Sequence, residues 1–66
     1  MISHIDRLEV EQSELSNKII KLLQFFDTEV FENLNNTDQS LLTTQYSAMV
    51  TYSDLLRLRL DRAKAL

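Results

Sequence analysis

Not one glycine or proline occurs in this chain of 66 residues. Their absence removes glycine-rich phosphate loops, nucleophile elbows and tight β-hairpin turns together, because each depends on backbone conformations those residues supply. Hydrophobic residues make up 44% of the chain, enough for a packed protein and too many for a disordered tail. The remaining option is one small all-α domain spanning residues 1–66.

Helical periodicity is clear in the first third. Ser3 is a good N-cap, and Asp6 favours the positive end of the helix dipole. Ile5, Leu8, Gln12, Leu15, Ile19, Leu22 and Phe26 then recur at alternating intervals of three and four, a heptad-like seam. Glu14 and Lys18 have the favourable order for a surface ion pair. The spacing predicts a helix over residues 3–26.

The segment Asp27–Thr37 is the connection. Its centre, Thr28 to Leu34, is expected to form a short capped helical turn that folds Phe31 and Leu34 over the end. Asn35 and Asn36 tolerate left-handed backbone and are the expected corner. Asn36 or Thr37 is expected to cap a second helix over residues 38–63, with Gln39 at capping-box spacing from Asn36. Taking every third and fourth residue of Leu41–Leu60 gives the expected inner stripe: Leu42, Gln45, Met49, Tyr52, Leu56 and Arg59.

Two helices of similar length and a short connection predict an antiparallel two-helix hairpin. Folding it pairs Leu22 with Gln45, Ile19 with Met49, Leu15 with Tyr52, Gln12 with Leu56 and Leu8 with Arg59. Each polar residue then faces an aliphatic partner and must find hydrogen bonds sideways, toward water, another subunit or a ligand. Ile20, Leu23, Phe25, Val30, Leu41, Val50, Leu55 and Leu58 are left off the seam. A chain this short rarely builds an adequate core alone. With no cysteine and one histidine, His4, neither disulfides nor a His-based zinc site within one chain can help. A symmetric homo-oligomer is therefore expected.

The same inventory bounds function. A net charge of −3 argues against general nucleic-acid binding. No apolar run reaches the length of a membrane span, and Met1–Asp6 has neither the basic nor the apolar block of a signal peptide, so the expectation is a cytoplasmic protein. Without a nucleophile–base pair, a Glu-x-x-His unit or a convincing carboxylate pair, no catalytic residue, metal ligand or cofactor is assigned.

Binding has more material. Tyr46 and Tyr52 offer stacking faces and hydroxyls, Gln45 can read a base or ribose edge, and Arg59, Arg57, Arg7, Lys18 and Lys21 can answer phosphates. Each has a plainer role beside this one. The tyrosines can simply pack, Arg59 can bridge to Glu11 or Asp6, and Gln45 can fix register between subunits. Residues 1–38 hold eight of the ten acids, while Arg57, Arg59, Arg62 and Lys64 cluster near the end. That cluster either complements the helix dipole or forms an anion site. The expected ligand-binding set is Lys18, Gln45, Tyr46, Tyr52, Arg59 and Arg7.

Asp38-Gln39-Ser40-Leu41-Leu42-x-x-Gln45-Tyr46-x-Ala48-Met49-x-x-Tyr52-Ser53-x-Leu55-Leu56-x-x-Arg59-Leu60 resembles the short helical-hairpin proteins of tailed phages, related to those of crAss-like phages. Glu14-Leu15-x-x-Lys18-Ile19-x-Lys21-Leu22-x-x-Phe25 and Phe31-x-x-Leu34 share in that resemblance, which covers about residues 5–60. By fold analogy it implies a sponge of the kind that sequesters immune signals of CBASS or Thoeris defence. The Gly-Tyr-Arg and Asn-x-Ile-Lys segments of anti-CBASS hairpins are missing, so no ligand residue is carried across. The implied function is counter-defence without catalysis in an infected bacterial cell. A nucleotide-derived signal, either cyclic ADP-ribose-like or a cyclic oligonucleotide, is the expected partner beside the chain itself. The main alternative is a structural or interaction module for a host or phage protein. A nucleic-acid regulator using the basic cluster is the third. The Gln12-Ser13-Glu14-Leu15-Ser16 segment departs from the Ser-Gln-Glu-Leu-Asp pattern of sporulation phosphatases, so that resemblance is discarded.

Overall fold

The computed structural model describes residues 3–65. They are all-helical: α1 spans His4–Phe26, α2 spans Glu29–Glu32 and α3 spans Asn36–Ala65. Ser3 and Asp6 cap α1 reciprocally. The Asp6 N–H donates to the Ser3 hydroxyl at 3.0 Å and the Ser3 N–H donates to the Asp6 carboxylate at 3.3 Å. With no helix breaker in its path, α3 runs for 30 residues. Thr43 and Thr51 sit inside it by donating their hydroxyls to the carbonyls of Gln39 and Ser47, one turn back.

The corner is built by caps rather than by left-handed backbone: among the described residues none has a positive φ. The Thr28 hydroxyl accepts from the Phe31 N–H and donates to the Phe25 carbonyl, starting α2 directly under the end of α1. Asn35, not Asn36 or Thr37, caps α3. Its side-chain oxygen accepts from the Asp38 N–H at 2.8 Å, and its amide donates to the Asp38 carboxylate at 3.1 Å. Gln39 is thereby free of the expected capping box. It reaches back to α2, donating to the carbonyls of Phe31 and Glu32. The Phe31 carbonyl also accepts from the Leu34 N–H at 3.1 Å, so Gln39 adds a second bond at that end of α2. As expected, α2 folds an aromatic lid onto the helix ends: Phe31 lies 6.0 Å from Phe25 and 4.9 Å from Phe26.

Contacts between α1 and α3 run in opposite chain order. Tyr46 meets Phe26, Tyr52 meets Glu11, and Lys64 meets Glu9. The α1 seam is the one expected, with Leu8 buried and Ile5, Gln12, Leu15, Ile19, Leu22 and Phe26 half-buried. The α3 seam is not. The side chains withdrawn from water are Gln39, Leu42, Tyr46, Met49, Ser53, Leu56, Leu60 and Ala63, with Val50 beside them, while Gln45, Tyr52 and Arg59 are exposed. The two stripes share Leu42, Met49 and Leu56 and differ by one residue at every alternate position. Three-and-four spacing accommodates both. Packing decides between them, since turning Leu60 inward and Arg59 outward buries an aliphatic chain and leaves a guanidinium hydrated. Pairings of Leu22, Leu15 and Leu8 with polar residues are thus replaced by pairings one residue further along.

The buried core is small: Leu8, Leu56 and Leu60, with Ile5, Leu15 and Ala63 against them, all at the end away from α2. The rod measures 48 × 18 × 15 Å. Its radius of gyration is 15.1 Å, against about 11 Å for a compact chain of this length. Of the eight apolar residues expected off the seam, Phe25 and Val50 are half-buried and the other six stay exposed, as does Val10.

Candidate functional site

Gln45, Tyr52 and Arg59 recur every seven residues, which places them in one line along α3 beside the seam. On α1 the matching line is His4, Glu11 and Lys18. The Tyr52 hydroxyl donates to Glu11 Oε1, linking the middle members of the two lines. Arg7 follows His4 by three and precedes Glu11 by four, so it borders the α1 line near the start of that helix.

Electrostatics along this flank are uneven. The hydrogen bond to Glu11 raises the Tyr52 phenol above the ordinary tyrosine value; desolvation and the Glu11 charge add to the rise, and the nearby Arg59 charge opposes it. Glu11 is thus engaged by Tyr52, and no ion pair joins Arg59 to Glu11 or Asp6 among the described residues. The ion pairs found there are Arg57 with Asp54 at 3.6 Å and Lys64 with Glu9 at 3.0 Å. Neither uses Lys18, Arg59 or Arg7. Gln45 makes a long contact from its amide to the Met49 sulfur, 3.9 Å, which leaves most of its hydrogen-bonding capacity unspent.

Of the six residues expected to bind a ligand, the structure puts Gln45, Tyr52 and Arg59 on one exposed line of α3 and leaves Lys18 and Arg7 exposed on α1. Tyr46 goes elsewhere. It is half-buried in the seam, its ring edge-on to Phe26 at a centroid distance of 5.7 Å. Sequence reasoning passed over an open depression at the start of α3, lined by Phe31, Asn36, Gln39, Ser40, Thr43 and Thr44. The run of hydroxyl and amide residues from Asn35 to Thr44 was its signal. Among the described residues no group of His, Asp and Glu is placed to hold a metal ion, and no helix is long and apolar enough to cross a membrane.

Exposed donors such as those of Lys18, Gln45 and Arg59 can hold a polar ligand, and one comparison bears on that capacity. The family model named Sequestin matches residues 2–62. The chain belongs to the Sequestin family. No curated protein and no solved structure matches it. The family name suggests the sequestration of a molecule, and Lys18, Gln45 and Arg59 are among the exposed residues of this chain with donors to spare.

Proposed function

We propose that this chain is a phage counter-defence protein that binds a nucleotide-derived bacterial immune signal and withholds it from its effector without converting it. Its unit is an antiparallel helical hairpin assembled into a symmetric homo-oligomer in the cytoplasm of the infected cell. Membership of the Sequestin family supports the holding of a molecule. The observation that carries the nucleotide reading is the Tyr52 flank, where an exposed phenol ring lies in line with Arg59 and Gln45, with Lys18 exposed on the neighbouring helix. Stacking surface, amide and cations are the groups a nucleotide needs for its base, its edge and its phosphate. Tight retention without turnover asks for fixed donors and excluded water, and subunit packing supplies both.

The test is calorimetry with 3′3′-cGAMP and with cyclic ADP-ribose isomers, backed by thermal shift. Ligand held at a hundredfold excess over Kd stabilises the folded chain by roughly 2.7 kcal/mol. Saturable binding of one of them is expected; no binding by any removes the nucleotide reading. A second reading, an interaction module for a host or phage protein, is favoured by the exposed Leu41, Leu55 and Leu58. It predicts one stoichiometric partner on pull-down together with no small-molecule binding.

A further inference from the structure

Among the described residues, Glu11 is the one acid that accepts a neutral donor across the gap between α1 and α3. Glu9 and Asp54 are engaged with Lys64 and Arg57, and Asp6 and Asp38 are spent on helix caps. Glu11 receives the Tyr52 hydroxyl on Oε1 alone. An ionised carboxylate accepts through both oxygens and donates through neither. Oε2 takes no hydrogen bond and no ion pair from the described residues, and Glu11 is exposed. One acceptor oxygen is therefore held in place by its twin and left facing water.

The same bond fixes the ring. Tyr52 is rooted on α3 and tied by its hydroxyl to α1, yet keeps 41% of its surface in water. A side chain anchored at both ends has little rotamer freedom left to lose when a ligand lands on it. Tyr46, the other tyrosine, is half-buried against Phe26 and offers less.

Neighbouring charges narrow what Oε2 can take. The carboxylate repels a phosphate placed directly on it. The Arg59 charge acts on the same spot, since it is felt at the Tyr52 phenol, and it opposes an ammonium there. A neutral donor is left, and on a nucleotide the neutral donor beside the base is a ribose hydroxyl. Carboxylates read the ribose 2′-hydroxyl in this way in dinucleotide sites, and that hydroxyl separates ribose from deoxyribose. The order along the flank suits the order of a nucleotide. Gln45 comes first, its amide reaching one turn toward Tyr52 to the Met49 sulfur. The ring and Glu11 follow, and Arg59 stands about 10 Å further on. Base edge, base face with sugar, and phosphate each meet a matching group.

We infer that Glu11 is a ligand-binding residue of the Tyr52 flank, accepting the 2′-hydroxyl of a ribonucleotide through the oxygen that Tyr52 leaves free. The inference rests on the proposed nucleotide function and adds a selection to it: the flank takes ribose and discriminates against 2′-deoxyribose.

The test is calorimetry with whichever of 3′3′-cGAMP or cyclic ADP-ribose the wild type binds, beside its 2′-deoxy counterpart. Losing a hydrogen bond to a charged acceptor is expected to cost the deoxy form about tenfold or more in affinity. Glu11→Gln keeps an acceptor for Tyr52 and exchanges the other oxygen for an amide donor. Its ribose preference is expected to fall to about twofold or less. Tyr52→Phe loses the tie and keeps the carboxylate, so it weakens both forms and retains most of the preference. Both positions are exposed, and circular dichroism checks that the variants fold. Equal affinity of the wild type for the two forms, or a full preference in Glu11→Gln, overturns the inference and leaves the proposed function standing. Preference lost equally in Glu11→Gln and Tyr52→Phe also overturns it, because Glu11 then acts only by holding the ring. Absence of binding by the wild type fails the proposed function and the inference together.

Discussion

Tyr52 on α3 donates its hydroxyl to the Glu11 carboxylate on α1, joining residues 41 positions apart. The bond has a pH signature. Tyr52 is raised above its ordinary value, first by the bond to Glu11, then by desolvation and the Glu11 charge. A raised folded-state pKa means the contribution is complete below the unfolded tyrosine value of about 10. It is lost as pH climbs through the folded value. Thermal midpoints of the wild type are expected to fall between about pH 9 and about pH 11 more steeply than those of Tyr52→Phe, which has no phenol to ionise.

Leu56 is fully buried in a core that has, among the described residues, only three buried side chains. Leu56→Ala is expected to cost about 2–5 kcal/mol from lost burial and the cavity left behind. A chain of this length commands only about 3–10 kcal/mol in total, so chemical denaturation should show a variant close to unfolding at 25 °C. Leu58→Ala, at an exposed site on the same helix, should leave the helicity intact.

Gln39 clamps α2 by donating to the carbonyls of Phe31 and Glu32. Gln39→Ala removes both bonds, at about 0.5–1.5 kcal/mol each. Hydrogen exchange at Phe31, Glu32 and Asn33 should quicken, while the amides around Leu56 keep their protection. Equal acceleration at both places would show that the clamp supports the whole rod and not the lid alone.

The helices, the capped turn and the α1 seam were legible because apolar residues at regular intervals leave α1 one sensible face. For α3 they leave two. Its inner seam (Leu42, Tyr46, Met49, Ser53, Leu56, Leu60) and its outer stripe (Leu41, Ala48, Leu55, Leu58) lie on either side of Gln45, Tyr52 and Arg59. Periodicity therefore placed those three inside when they border the core. The error carried information, since residues between two apolar stripes lie beside whatever covers the second one. The Asn35 cap and the Gln39 clamp were less accessible. Asn35, Asn36 and Thr37 are all competent caps, and only the position of α2 selects among them.

Lys18 and Arg59 enter no ion pair among the described residues and are exposed. Lys18→Ala and Arg59→Ala should leave the ligand-free thermal midpoint within the range of surface substitutions, about 0.5 kcal/mol. Both should weaken nucleotide binding tenfold or more by calorimetry. A matched loss of stability would reassign them to the fold.

Sequestration differs from catalysis in what becomes of the ligand, and capture followed by release measures that directly. The protein is incubated with 3′3′-cGAMP or a cyclic ADP-ribose isomer and filtered, and the retained fraction is heat-denatured and chromatographed. The account predicts that the bound ligand disappears from the filtrate and returns chemically unchanged, in amounts that scale with protein and not with time. Ligand left in the filtrate, or a new product that accumulates with time, would contradict it.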